Sequence, residues 1–106
     1  MNDKHKQFLL ALGLANRGGK LIVGNRLIEE IKKNKVKLVI VCNDIGQAQW
    51  KKIFDKTSTY HVKVIKDVLT GNQLQTALGI NYIKAIGILD TNMVKLIEDA
   101  YAKIIV

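Results

Sequence analysis

The sequence predicts an α/β protein, a three-layer α-β-α sandwich around a mixed sheet of about four strands. Three observations carry that prediction. Short apolar runs rich in β-branched residues alternate with segments of helical periodicity, and glycines and capping residues mark the changes between them. No repeat, low-complexity tract or Pro- or Ser-rich linker divides the 106 residues. Each strand-to-strand crossover must return over one face of the sheet, which places helices on both sides. The chain is therefore read as one domain over residues 1–106, with an ordinary core drawn from its 48% hydrophobic residues.

The first helix covers residues 3–17. Phe8, Leu9, Leu12 and Ala15 recur there at three- and four-residue intervals, and Arg17-Gly18-Gly19 stops it through glycine's access to positive φ. Lys20-Leu21-Ile22-Val23 forms a short strand. Gly24-Asn25 turns it into a second helix with Leu27, Ile28 and Ile31 inward and Arg26, Lys32 and Lys33 in water, ended by Asn34-Lys35. Lys37-Leu38-Val39-Ile40-Val41-Cys42 is a nearly continuous apolar run, the pattern of a central strand covered on both faces, which makes Cys42 a small buried hydrophobe. Asn43-Asp44 is expected to cap a third helix, in which Trp50, Ile53, Phe54 and Thr57 keep helical spacing while Lys51, Lys52 and Lys56 point outward.

Val62-Lys63-Val64-Ile65 follows as a third strand. Thr70-Gly71-Asn72-Gln73 matches a capping box and starts a short helix through Leu74, Ala77 and Leu78, closed by Gly79. Ala85-Ile86-Gly87-Ile88-Leu89 is another buried strand. Asp90 caps the last helix, with Met93, Leu96, Ile97, Ala100 and Tyr101 inward, and Ile104-Ile105-Val106 fits helix or coil.

Composition removes several function classes. No apolar run reaches the roughly 20 residues of a membrane-spanning helix. The N-terminal stretch from Met1-Asn2-Asp3 lacks a secretory cleavage pattern, so a cytoplasmic location is expected. Cys42 alone forms no internal disulfide, and with His5 and His61 it is too few and too scattered for a zinc site. Gly13 to Lys20 lacks the Gly-Lys-Ser/Thr ending of a phosphate loop, so no nucleotide cofactor is expected. Glu29-Glu30 and Asp44/Asp55 read as surface charges and a cap, and His61 as a solvated turn residue. A Cys42 nucleophile is disfavoured because desolvation in a central strand raises the thiol pKa.

Charge is the informative term. Lys and Arg number 17 against 9 Asp and Glu, and the excess is graded: +6 over residues 1–37, +2 over 38–68 and zero over 69–106. Such a balance fits either a polyanionic partner or a simple solubility charge.

Motif order resolves the tie. Leu12-Gly13-Leu14-Ala15-Asn16-Arg17-Gly18-Gly19-Lys20-Leu21 followed by Gly24, then Lys37-Leu38-Val39-Ile40-Val41-Cys42-Asn43-Asp44 with Lys51-Lys52-Ile53, then Leu74-Gln75-Thr76-Ala77-Leu78-Gly79 and Ile88-Leu89-Asp90 run through almost the whole chain. This series resembles the ribosomal L-seven-Ae superfamily of kink-turn RNA-binding proteins, in particular its small bacterial YlxQ-like branch. The resemblance implies a non-catalytic protein whose first-strand to second-helix junction, at Gly24, grips structured RNA, of ribosomal or kink-turn type.

In strong kink-turn binders that junction reads G-x-N-E-x-x-K, and here it departs. Without a gap, Arg26 and Leu27 replace Asn and Glu, and Glu30 replaces Lys. One residue shorter, Asn25 recovers the Asn but Arg26 replaces the Glu and Glu29-Glu30 crowd the Lys position; the short Gly24-to-Lys37 spacing favours this second alignment. A lost bidentate base contact removes about 1–3 kcal/mol of discrimination. Phosphate contacts from Lys20, Arg26, Lys32 and Lys33 would add affinity without selectivity. The resemblance also places Ile80-Asn81-Tyr82-Ile83 in a loop that packs on splayed nucleotides, where Tyr82 either stacks on a base or caps the core edge. Lys51, Lys52 and Lys56 read as a solvated face rather than an extension of the basic surface. The rival expectation is a protein-interaction module of the translation or RNA-processing machinery, on the same fold, that has lost kink-turn specificity.

Overall fold

The computed structural model describes residues 3–105, so Met1, Asn2 and the Val106 end of the ambiguous tail lie outside the described residues. Among the described residues, nine elements alternate in the expected order: α1 (Asp3–Arg17), β1 (Leu21–Val23), α2 (Arg26–Lys32), β2 (Leu38–Val41), α3 (Gln47–Thr59), β3 (Lys63–Lys66), α4 (Gly71–Leu78), β4 (Ala85–Ile88) and α5 (Thr91–Ile105). Ile104 and Ile105 belong to the last helix. The sheet order is β1-β4-β2-β3, with β2 and β3 parallel and β4 antiparallel to both β1 and β2, a mixed sheet as expected.

Strand pleating divides the core in two. Leu38, Ile40, Ile65, Ile86 and Ile88 face α1, α4 and α5, while Ile22, Val39, Val41 and Ala85 face α2 and α3. Both faces of β2 and β4 are thereby covered, which is why their sequences are apolar without alternation. Cys42 is fully buried beyond β2. Gly87 lets α2 lie close: a methyl there would meet Leu27 Cδ1 at 2.7 Å and Val36 Cγ1 at 3.0 Å.

Local signals decide the helix ends. Gln73 N–H donates to Thr70 Oγ1 (3.1 Å) and Thr70 N–H to Gln73 Oε1 (3.0 Å), completing the capping box, and Gly79 closes α4 in the left-handed conformation. Met93 N–H donates to Asp90 Oδ2 (3.0 Å) at the start of α5.

Other sequence expectations fail for reasons of tertiary context. Asn43-Asp44 does not cap the third helix; α3 begins after an extended Gly46 with no side-chain cap. Asp44 is engaged elsewhere, accepting from Gly71 N–H (2.7 Å) and Lys84 Nζ (2.7 Å). Asn25 precedes α2 in a helical conformation and likewise makes no side-chain cap. Phe54, expected inward, is 56% exposed: Ile53 and Thr57 take the buried positions of α3, and Phe54 leans on Trp50, over which Lys66 Nζ lies at 5.3 Å. Leu96, also expected inward, is 43% exposed on α5.

Candidate nucleic-acid interface

The strand register defines two ends of the sheet. Val23 pairs with Ile86 and Val41 with Ala85, so β1 and β2 finish where β4 begins; Leu21 and Leu38 both pair with Ile88 at the opposite end. A groove of about 570 Å³ opens at the first of these ends, between the Gly24-Asn25 turn, α2, α3 and the segment entering β4. Leu27, Ile28, Ala48, Ile53 and Ala85 supply its apolar surface, and Gln49, Lys52, Tyr82 and Lys84 its polar and aromatic side chains.

Backbone conformation shapes this groove. Gly24 has φ +71°, and a Cβ there would meet nothing within 4 Å, so it is the left-handed turn rather than lack of space that calls for glycine. Asn25 lines the groove, and its carboxamide has no hydrogen-bond partner among the described residues. Across the groove, Tyr82 adopts φ +63° and is 96% exposed. A non-glycine residue in that region is strained, and the exposure leaves an aromatic ring free to stack. Tyr82 does not cap the core edge. Ile83 beside it is buried, and Gln75 Nε2 donates to the Ile83 carbonyl (3.0 Å), fixing the turn against α4.

Two carboxylates temper the local positive charge. Arg26 has a 77% exposed side chain at the mouth of the turn, with Glu30 Oε1 3.9 Å from its Nη2 and 3.8 Å from Lys33 Nζ. At that length, and with both cations largely exposed although Glu30 itself is mostly covered, the pairs are weak and leave the cations accessible to phosphate. Lys84 is held more firmly by Asp44. The hydrogen bonds from Lys84 and Gly71 hold the Asp44 carboxyl below its usual range. Burial, reinforced by the charge of Asp44 and opposed by Lys84, pushes the Cys42 thiol up to about 11, so it stays protonated and unreactive. Among the described residues, no group of three His, Cys, Asp or Glu could hold a metal ion, and no helix is long and apolar enough to cross a membrane.

The sequence-predicted residues do not all meet here. Gly24, Asn25 and Tyr82 line the groove, and Arg26 stands beside it. Ile80 is turned away, half-buried against the core under α1, α4 and α5. Lys20 precedes β1, about 13 Å from Gly24 along an extended strand, and its carbonyl accepts from Leu89 N–H at the other end of the sheet. Because α2 runs back over the sheet, Lys32 also lies toward that far end, where Lys37 N–H donates to the Ile88 carbonyl, while the Lys33 ammonium reaches back to Glu30, which it shares with Arg26. Of the four cations expected to contact phosphate, Arg26 and Lys33 are therefore linked through Glu30, while Lys20 and Lys32 lie toward the other end. Sequence reading assigned Lys52 to a merely solvated face and missed Lys84, although Lys84 stands two residues from Tyr82.

No family model matches the chain. Over 97 residues, 90% of this chain and 92% of the relative, it is 36% identical to the RNA-binding protein YlxQ of Enterococcus faecium. The chain belongs to the YlxQ family. This bears out the resemblance carried by the motifs from Leu12 to Asp90. Among solved structures, a Bacillus halodurans protein of unknown function superposes with a TM-score of 0.83 at 27% identity, covering 91% of this YlxQ-family chain and 97% of its own. The Giardia lamblia 15.5kD RNA binding protein superposes with a TM-score of 0.73, covering 97% of this chain and 89% of its own. At 14% identity that match speaks for the fold alone.

Proposed function

We propose that this YlxQ-family protein binds structured RNA, of ribosomal or kink-turn type, in the groove between the Gly24 turn and Tyr82, acting in the cytoplasm by binding and without catalysis. The observation that carries this reading is the convergence of a free Asn25 carboxamide, an exposed Tyr82 ring and the Arg26, Lys52 and Lys84 cations around one concavity. Stacking and carboxamide contacts recognise unpaired bases, and the cations hold the backbone. The family name of the Enterococcus faecium relative supports RNA as the ligand.

Selectivity for a kink-turn follows from the altered reader. On either alignment the guanine-reading Glu is lost, Leu27 or Arg26 standing in its place, and neither side chain can accept the hydrogen bonds that a carboxylate accepts. The preference for a kink-turn over a straight duplex is thus reduced by about tenfold to a hundredfold relative to such binders, the equivalent of one bidentate contact. A salt titration against a kink-turn RNA and a straight duplex tests this. A residual kink-turn preference supports the reading, equal affinities with a steep salt slope reduce it to phosphate binding, and no binding at low salt removes it.

A further inference from the structure

The opposite layer carries a second concavity that RNA binding does not use. It lies between α1 and α4, has a volume of about 570 Å³, and is floored by Leu9, Leu10, Gly13 and Ala77. Lys6, Leu10, Gly13 and Arg17 fall on one stripe of α1 at the spacing i, i+4, i+7, i+11. The charged ends of that stripe are three turns, about 16 Å, apart. Leu10 is 57% exposed, neighbouring Leu14 is 49% exposed, and neither Lys6 nor Arg17 has an ion-pair partner among the described residues.

Gly13 adds an independent observation. It sits inside a 15-residue helix, where glycine is the poorest helix former after proline, yet a Cβ there would meet nothing within 4 Å. Its φ is not left-handed, since only Gly19, Gly24 and Gly79 are positive among the glycines. Among the described residues nothing requires a glycine here, and the position leaves the surface of α1 open.

We propose that the α1–α4 groove docks an amphipathic helix of a partner protein, its apolar stripe seated on Leu10 and Gly13 and its acidic residues, three turns apart, on Lys6 and Arg17. Charge selects this occupant. Two copies of the chain pairing antiparallel through the stripe would set Lys6 against Arg17, and pairing parallel would set like residue against like, so the face repels its own copy. Unlike the Gly24 groove, this one has no aromatic side chain in its lining on which a nucleic-acid base could stack. Gly13 allows the two helix backbones to approach, as small residues do at tight helix crossings. The proposal is independent of the RNA groove, which lies at one end of the sheet on its other face.

The test is a displayed library of amphipathic helices of about five turns, roughly 18 residues, with the flanks of the apolar stripe randomised. It is selected on the full chain and counter-selected on Gly13→Leu. The expected result is enrichment of Asp or Glu at two sites three turns apart. A winning helix should bind Leu10→Glu at least about tenfold more weakly, as loss of a central apolar anchor implies, while RNA affinity stays unchanged. Gly13→Ala should raise the melting temperature while weakening the helix, a combination that a purely structural glycine would not give. Failure to enrich any helix, enrichment of neutral or basic helices, indifference to Leu10→Glu, self-association through α1, or RNA protection of the α1 stripe would each overturn it.

Discussion

The two ends of the sheet are both basic, yet they differ in everything else a binding site needs. At the Gly24 end, Arg26, Lys52 and Lys84 surround a concavity with an exposed aromatic ring and an unpartnered carboxamide. At the other end, Lys20 and Lys32 stand beside the start of β1 and the end of α2, neither of them lining that groove. Positive charge alone attracts a polyanion to either end, whereas stacking on bases calls for an exposed ring such as Tyr82, which stands at the first. The comparison teaches that cations counted along a sequence need not share one surface.

The comparison breaks most readily at Tyr82. Tyr82→Ala is expected to weaken structured-RNA binding by about 1–3 kcal/mol, the worth of one base stacked on an aromatic ring, with thermal stability maintained because the ring is exposed. Filter-binding and melting curves on the same preparation check both halves. Arg26→Ala comes next: the slope of log affinity against log salt should fall by about one unit, and Glu30, relieved of that partner, should not alter the fold. Lys20→Ala combined with Lys32→Ala sharpens the contrast from the other side, leaving kink-turn affinity within about twofold, as expected for charges that screening separates from the groove. A loss equal to that of Arg26→Ala would move the interface to the far end.

The smallest effect concerns the scaffold of the groove. Asp44 joins Lys84 to the first turn of α4, and its folded-state carboxyl is held below the usual range by those hydrogen bonds. Its contribution to stability is therefore present above the ordinary carboxyl pKa of about 3.9 and is lost as pH falls through the lowered value. Asp44→Asn should lower the melting temperature modestly at neutral pH and flatten its decline on the acid side, measured by calorimetry across that range.

How much of this was legible depends on how far each signal reaches along the chain. The strands were legible because Leu38–Val41 and Ala85–Ile88 are buried on both faces and so apolar throughout. The Thr70 box was legible because both of its hydrogen bonds close within three residues. Asp44 was misread because its partners lie 27 and 40 residues away, and a local rule finds only local partners. The same limitation separates the candidate cations: Lys20, Arg26 and Lys32 are neighbours in sequence, but β1 and α2 run in opposite directions and carry Lys20 and Lys32 to the end opposite Arg26. Phe54 was misread because helical spacing gives the direction of an apolar stripe without showing how much of its width the sheet covers.

The central claim, that RNA sits at the Gly24 end, is tested most directly by an amide chemical-shift map of the labelled protein titrated with a kink-turn RNA. The account predicts that the largest shifts fall on Gly24–Ile28, Ala48–Lys52 and Tyr82–Ala85, with Lys20 and Lys32–Lys37 nearly still. Shifts concentrated instead on Lys20 and Lys32–Lys37 would contradict it.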